Sequence, residues 1–299
     1  MLEINNLSKR FGTVQALNDL NMTVNPGEIM GLIGQNGAGK STTFRLMLNF
    51  ITADQGVVKW NNQKLDQSVY NQIGYLPEER GLYPKLSIEE QILFFGELRG
   101  KKRSEIEPKI NAWMDRFEVK GKRKDKIKSL SKGNQQKVQI ITTLIHEPQL
   151  IILDEPFSGL DPVNASMLKD AIIDVKQSGA AIIISSHNMD NVEEMCDRLT
   201  MLKKGQRILY GTIEEIRSSF ERLKLVVETP LPASQLQLID GVNHVQSIGT
   251  NRYRLLLNRE EVGKEVFNLV TKDGYIPVFS QQPPTLDEIF RMKVGESNE

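Results

Sequence analysis

The run Gly34-Gln35-Asn36-Gly37-Ala38-Gly39-Lys40-Ser41 has the residue types that a polyphosphate requires. It fits the pattern G-x-x-x-x-G-K-[ST] and lies between a strand-like and a helix-like segment. Its glycines let successive backbone N–H groups turn inward on phosphate oxygens, and the following helix adds the positive end of its dipole. The Lys40 ammonium can reach the β- and γ-phosphates and the Ser41 hydroxyl can ligate Mg²⁺, with Thr42 next along the helix start. A second feature is the apolar run Leu150-Ile151-Ile152-Leu153, which closes on Asp154 and Glu155. Ligands of open α/β sheets bind beyond the carboxyl ends of the strands. Asp154 is therefore expected beside the phosphate loop as a holder of Mg²⁺, and Glu155 as the group that polarises a water for in-line attack on the γ-phosphate. Alone, the first could be an ordinary Gly-rich turn and the second an acidic pair entering a solvated turn. Together and in this order they point to hydrolysis of a nucleoside triphosphate with Mg²⁺.

Such groups need a sheet to present them. Leu2 to Ile4, Leu20 to Val24, Glu28 to Ile33, Val57 to Trp60, Ile73 to Leu76, Leu150 to Leu153, Ala181 to Ser185 and Leu199 to Leu202 read as strands, and Lys40 to Asn49 as a helix. Apolar strands alternating with helices predict an α/β unit with a mainly parallel sheet covered on both faces. Between Ser87 and Ile127 the spacing of Ile88, Ile92, Phe95, Ile106, Ile110, Trp113 and Phe117 is helical, which predicts a helical insert. From Leu223 the pattern becomes strand Leu223 to Glu228, helix Ala233 to Ile239, and strands Val242 to Ile248 and Tyr253 to Leu257. Helix Glu260 to Thr271, strand Tyr275 to Phe279 and a last helix Thr285 to Met292 follow. The order β-α-β-β-α-β predicts a small α+β ferredoxin-like domain. The expected division is 1–220, with the insert at about 86–130, and 221–299.

The 299 residues allow two domains at roughly 150 residues each. Lys plus Arg and Asp plus Glu both number 38, so a whole-chain basic footprint for nucleic acid is absent. The longest apolar runs fall far short of the ~18 residues of a transmembrane helix. The start Met1-Leu2-Glu3-Ile4-Asn5-Asn6 predicts no secretory leader. Cys196 is the only cysteine, so neither an intrachain disulfide nor a multi-cysteine zinc site is expected. These features favour the cytoplasm.

Further motifs, in order, make residues 1–215 resemble the ATP-binding subunit of ABC transporters, a P-loop NTPase fold. Leu130-Ser131-Lys132-Gly133-Asn134-Gln135-Gln136-Lys137 is similar to the family signature, Ser158-Gly159-Leu160-Asp161 to its D-loop, and Ser185-Ser186-His187 to its switch histidine. Phe11 stands where the family stacks an aromatic ring on adenine. Taken singly, Phe11 and His187 read as well as structural residues, and the signature as a plain helix start. The resemblance implies that two copies pair head to tail around two ATP molecules. Ser131 and Gly133, opening a helix, then face the γ-phosphate held by the other copy, while His187 hydrogen-bonds the γ-phosphate and orients Glu155 and water. It further implies a separate membrane permease, a place at the cytoplasmic face of the cell membrane, and no nucleic-acid partner.

Two motifs depart from the family pattern. Lys132 and Asn134 replace a Gly and a Gln of the signature, leaving Ser131 and Gly133 in place. Glu78, in Ile73-Gly74-Tyr75-Leu76-Pro77-Glu78-Glu79, replaces a Gln that links Mg²⁺ and the attacking water to the transporter contact. A carboxylate there would hold Mg²⁺ more strongly and repel the γ-phosphate, unless Glu78 is a solvated loop acid. Leu82 and Tyr83 are the expected permease-facing residues. The basic stretch Arg99 to Lys128 reads as a solvated face or a contact with anionic lipid. Residues 223–299 resemble an accessory domain of exporter-type ABC ATPases, expected to support dimerisation or to sense a small ligand. The rival readings are a soluble ABC ATPase acting on ribosome or DNA, and an ATP-switched regulatory module.

Overall fold

The computed structural model describes residues 1–65, 69–79 and 81–295. They form two compact units, one spanning Met1–Gly211 and the other beginning at Thr212.

The first unit runs β1 (Leu2–Phe11), β2 (Val14–Val24), β3 (Ile29–Gly34), α1 (Lys40–Met47), β4 (Gln55–Trp60), β5 (Gln63–Lys64) and β6 (Ile73–Leu76). Then come α2 (Ile88–Leu98), α3 (Arg103–Ile106), α4 (Ile110–Arg116), α5 (Lys132–Leu144) and β7 (Leu150–Asp154). It closes with α6 (Pro162–Gln177), β8 (Ala181–Ser185), α7 (Met189–Met195), β9 (Arg198–Lys203) and β10 (Gln206–Thr212). A six-stranded sheet has the order β10-β9-β3-β8-β7-β6, and the pairs β9–β3, β3–β8, β8–β7 and β7–β6 are parallel. Every residue of β3, β7 and β8 is buried, the pattern of parallel strands covered on both faces.

One expectation needs correction. The first strands do not join the parallel sheet. β1 and β2 are longer than the apolar runs Leu2 to Ile4 and Leu20 to Val24 suggested, and with β4 and β5 they make a separate sheet ordered β2-β1-β4-β5, antiparallel in all its pairings. Polar residues on the outward face of an antiparallel strand break an apolar run without ending the strand. The inner faces of the two sheets share one core around Leu2, Leu20, Leu32, Phe44, Met47, Ile152 and Ile183.

The expected helical insert is present as α2, α3 and α4. A capping box opens α2: the Ser87 hydroxyl accepts the Glu90 N–H at 3.2 Å, and Glu90 accepts the Ser87 N–H at 2.7 Å. These bonds satisfy two helix-terminal donors.

The second unit holds α8 (Ile213–Ser218), β11 (Lys224–Glu228), α9 (Ala233–Gln237), β12 (Val242–Gly249), β13 (Arg252–Leu257), α10 (Val262–Val270), β14 (Val278–Gln282) and α11 (Leu286–Gly295). Its sheet order β12-β13-β11-β14 is antiparallel throughout and is that of a ferredoxin-like unit. The last strand lies later than the expected Tyr275 to Phe279. Pro277 has no N–H to give a ladder, so pairing starts at Val278, and Tyr275 is exposed.

At the start of β6, the carbonyl of Ile73 lies 3.1 Å from Nε2 of His146, which is 2% exposed. Burial pushes the His146 pKa down from its ordinary 6.5 to about 4, with the nearby Arg99 and Lys101 charges adding to it and the Ile73 bond opposing. The folded chain then keeps a neutral ring where the unfolded chain takes up a proton. The stability this provides is complete above pH 6.5 and is lost as pH falls towards 4, amounting to about 3 kcal/mol. His146→Gln is expected to flatten that acid-side loss in urea melts; equal pH slopes for both proteins would refute it.

Candidate functional site

The parallel register brings the chemistry to one edge. Gly34 at the end of β3 pairs with Leu202, Asp154 at the end of β7 with Ser185 at the end of β8, and Leu153 with Leu76. The segments that follow these strand ends carry the phosphate loop, Glu155, His187 and Glu78.

The phosphate loop turns where only glycine fits. Gly39 has φ +111°, and a Cβ there would stand 2.7 Å from the Ala16 carbonyl; at Gly34 a Cβ would meet the Leu202 carbonyl at 2.5 Å. Gln35, Asn36 and Gly37 are exposed, Ala38, Gly39 and Lys40 are buried, Ser41 is exposed and Thr42 is half-buried. Gly39 caps α1 without a side chain, and the first turn of α1 carries no acid. Its N-terminal N–H groups are thus open to an anionic ligand. The Lys40 ammonium curls back on the loop, donating to the Gly34 carbonyl at 2.6 Å and the Gln35 carbonyl at 3.3 Å.

Asp154 and Glu155 form a tight corner with β8. The fully buried Ser185 hydroxyl donates to Asp154 Oδ1 at 2.6 Å and accepts the Glu155 N–H at 2.8 Å. Glu155 has φ +49°, a left-handed conformation that costs a non-glycine residue about 1–2 kcal/mol. One Glu155 carboxylate oxygen lies 2.8 Å from His187 Nδ1. At that distance the ring N–H donates to the carboxylate and leaves Nε2 for another partner. His187 is exposed while Glu155 is largely covered, so the pair joins a sheltered base to an accessible ring.

Burial raises the Asp154 carboxyl pKa and the Glu155 charge adds to the rise, while the Ser185 bond and the Lys40 and Arg45 charges hold it down. A buried carboxylate with this balance fits a divalent cation, whose charge would relieve the desolvation. Among the described residues no cluster of three or more His, Cys, Asp or Glu could hold a metal by itself. Asp154 and the Ser41 hydroxyl supply oxygens of the kind Mg²⁺ takes, since that ion keeps waters and binds through one or two protein ligands plus substrate phosphates.

Glu78 and Glu79 are exposed on the loop after β6. Tyr75 reports on the neighbourhood: burial raises its hydroxyl pKa to about 12, with the Asp154 and Glu78 charges adding and Arg45 opposing. Phe11 ends β1 with 48% of its surface exposed, and the Lys9 ammonium stands 5.5 Å from its ring centre. Ser131 caps the thirteen-residue helix α5. Its hydroxyl accepts the Asn134 N–H at 3.3 Å and the Asn134 side-chain N–H at 3.0 Å. Open space surrounds the Cα of Gly133. These bonds of Ser131 stay within its own helix start and do not reach the phosphate loop. Asp161 caps α6 through the Asn164 N–H at 2.9 Å.

Just before the insert, Tyr83 is 51% exposed and packs edge-on against Phe94 of α2 at 5.5 Å, with Phe95 stacked at 6.2 Å. Leu82 is half-buried and lines a cavity of about 150 Å³ with Tyr75, Phe95 and His146. In the basic stretch, Lys101 and Lys109 pair with Glu147, Arg103 with Glu107, Arg116 with Asp174, Arg123 with Glu89 and Lys126 with Glu90. Acids from elsewhere in the fold thus neutralise much of a charge that looked one-sided. The bridging role of Ser185 was missed from sequence, although a hydroxyl closing an otherwise apolar strand was its visible signal.

The profile of the ABC transporter family matches residues 17–158, and that of the C-terminal domain of DrrA1-3-like ATP-binding proteins matches residues 211–294. An uncharacterized ABC transporter ATP-binding protein of Alkalihalophilus pseudofirmus is 46% identical over 264 residues, 88% of this chain and 98% of that protein. The lipopolysaccharide export system ATP-binding protein LptB of Haemophilus influenzae is 32% identical over 235 residues, 76% of this chain and 96% of LptB. Among solved structures, the ATP-binding subunit of an ABC transporter superposes with a TM-score of 0.70 at 32% identity, covering 73% of this chain and 92% of that one.

Ser185→Ala removes the donor to a buried carboxylate and the acceptor of a strained N–H. It is expected to lower ATP turnover about tenfold or more and to weaken Mg²⁺ activation. Steady-state ATPase assays across a Mg²⁺ titration measure this, and unchanged turnover would show the hydroxyl to be dispensable.

Proposed function

This chain belongs to the ABC transporter ATP-binding protein family, and we propose that it powers a separate membrane permease, as an exporter subunit, by closing as a homodimer on ATP. The observation that carries the reading is the corner in which Ser185, Asp154, Glu155 and His187 are bonded together. A regulatory module that only senses ATP has no need of a sheltered carboxylate held by an accessible imidazole.

In this reading the Lys40 ammonium leaves the Gly34 and Gln35 carbonyls for the β- and γ-phosphates, the stronger acceptors. Backbone N–H groups from Gly34 to Thr42 cradle the phosphates, and Phe11 stacks on adenine. Ser41, Asp154 and Glu78 would hold Mg²⁺, which would supply charge neutralisation to the phosphates. Glu155 takes a proton from the attacking water, and His187 holds Glu155 through Nδ1 while Nε2 turns to the γ-phosphate. Ser131 and Gly133 of a second copy complete the site. Their position on an open helix start, bonded to neither Lys40 nor Asp154 of their own chain, supports a role in trans.

Export is supported by the name of LptB, a protein of an export system. No helix of the described residues is long and apolar enough to cross a membrane; in this reading a separate permease chain forms the pathway. The exposed Tyr83–Phe94 surface, beside the loop that bears Glu78, is where that chain would dock, placing the protein peripherally at the cytoplasmic face of the cell membrane. The C-terminal unit, proposed as residues 221–299, has open sheet edges at β12 and β14 and supports the dimer.

Glu155→Gln is expected to keep ATP binding, lose turnover by about 100-fold or more, and accumulate a dimer with saturating ATP in light scattering. Only single molecules under those conditions would overturn the sandwich. Removing residues 223–299 is expected to weaken that dimer without abolishing nucleotide binding; equal dimerisation of the shortened chain would remove the C-terminal unit from this role.

A further inference from the structure

Helix α5 carries two glutamines that the site described above does not use. Gln139, buried, directs its side-chain amide at the carbonyls of Pro77 and Glu79, each 3.4 Å away. Those carbonyls flank Glu78 on the loop after β6. Nearly one turn earlier, Gln136 directs its amide at the carbonyls of Pro156 and Ser158, each 3.3 Å away, on the loop that follows Glu155. A primary amide has two N–H donors, and here each amide straddles one loop residue by reaching the carbonyls of the residues before and after it. Residues three apart share a side of a helix, so one stripe of α5 holds both loops. A third bond has the same sense: the Thr143 hydroxyl lies 3.5 Å from the Tyr75 carbonyl on β6 and 2.9 Å from the carbonyl of Gln139.

We infer that Gln139 and Gln136 are positioning residues that tie α5, whose Ser131 end is offered to the nucleotide of a second copy, to the Glu78 loop and to the loop behind Glu155. Neither side chain meets the reacting atoms. Gln139 sets the backbone from which Glu78 projects and Gln136 the turn that follows Glu155, so a shift of α5 when Ser131 meets phosphate moves both loops of the same chain. Packing alone would not do this, because an aliphatic side chain of equal length fills the same space yet leaves four carbonyls without these donors. The inference rests on the ATPase reading and on a role for Glu78 within it.

Gln139→Met and Gln136→Met keep length and apolar stem while deleting the donors. In the full chain with Mg²⁺ and ATP, each is expected to lower kcat roughly tenfold, because the loop loses both donors that hold it. KM for ATP should stay within about twofold, because the phosphate loop itself is untouched. Cooperativity in ATP should fall, and thermal melts check that both variants are folded. In a Glu78→Ala background, Gln139→Met should cost little more, since the carboxylate it positions is gone. Fully additive losses would show Gln139 to be a packing residue and overturn the inference, as would normal turnover in Gln139→Met while Glu78→Ala is impaired. Normal turnover in Glu78→Ala would remove the Glu78 role and this inference with it. A wild-type chain that binds ATP without turnover would overturn the ATPase reading itself.

Discussion

A shared hydroxyl holds the proposed catalytic corner in place. Ser185 bonds to the side chain of Asp154 and to the backbone N–H of Glu155, across two parallel strands that end level with each other. Without an acceptor there, the left-handed backbone of Glu155 would have a buried N–H and no reason to keep its turn. With it, Glu155 is aimed towards His187 and Asp154 is held at the strand end. The corner is dry enough to raise the Asp154 pKa and yet opens on the exposed His187. Water-poor surroundings strengthen every charge interaction a bound triphosphate would make.

That corner depends on the apolar sheet beneath it. β3, β7 and β8 are buried along their whole length, so a slip in register would push Asp154 into the core or Ile residues into the site. The cost of either fixes the alignment. The antiparallel sheet serves a different end. Its strands alternate between core and solvent, and the tip of β1 holds Phe11 out where a ring can receive a base. The second unit has its own core around Leu225, Val227, Leu255 and Val266, so its sheet does not rely on the nucleotide site.

Charge is arranged with the same economy. Lys40 is buried against its own loop carbonyls, partners that are neutral and easily exchanged for phosphate oxygens. The helical insert looked strongly basic along the chain, but Lys101, Lys109, Arg116, Arg123 and Lys126 reach acids brought near by the fold. The exposed character of this region lies instead in the aromatic pair Tyr83 and Phe94.

The sequence by itself determined the local chemistry: the loop from Gly34 to Ser41, the acidic end of β7, the helical insert and the strand order of the second unit. Those features are carried by neighbours in the chain, whose spacing settles which atoms can meet. It did not reveal that β1 and β2 leave the parallel sheet, because an outward polar residue interrupts an apolar run whether or not the strand continues. The tertiary structure alone decided which distant groups share a bond: Ser185 with Asp154, His187 with Glu155, Gln139 with the carbonyls around Glu78. Each of these joins residues some thirty to sixty positions apart, and such pairs become neighbours only when the burial of whole strands and helices sets their register.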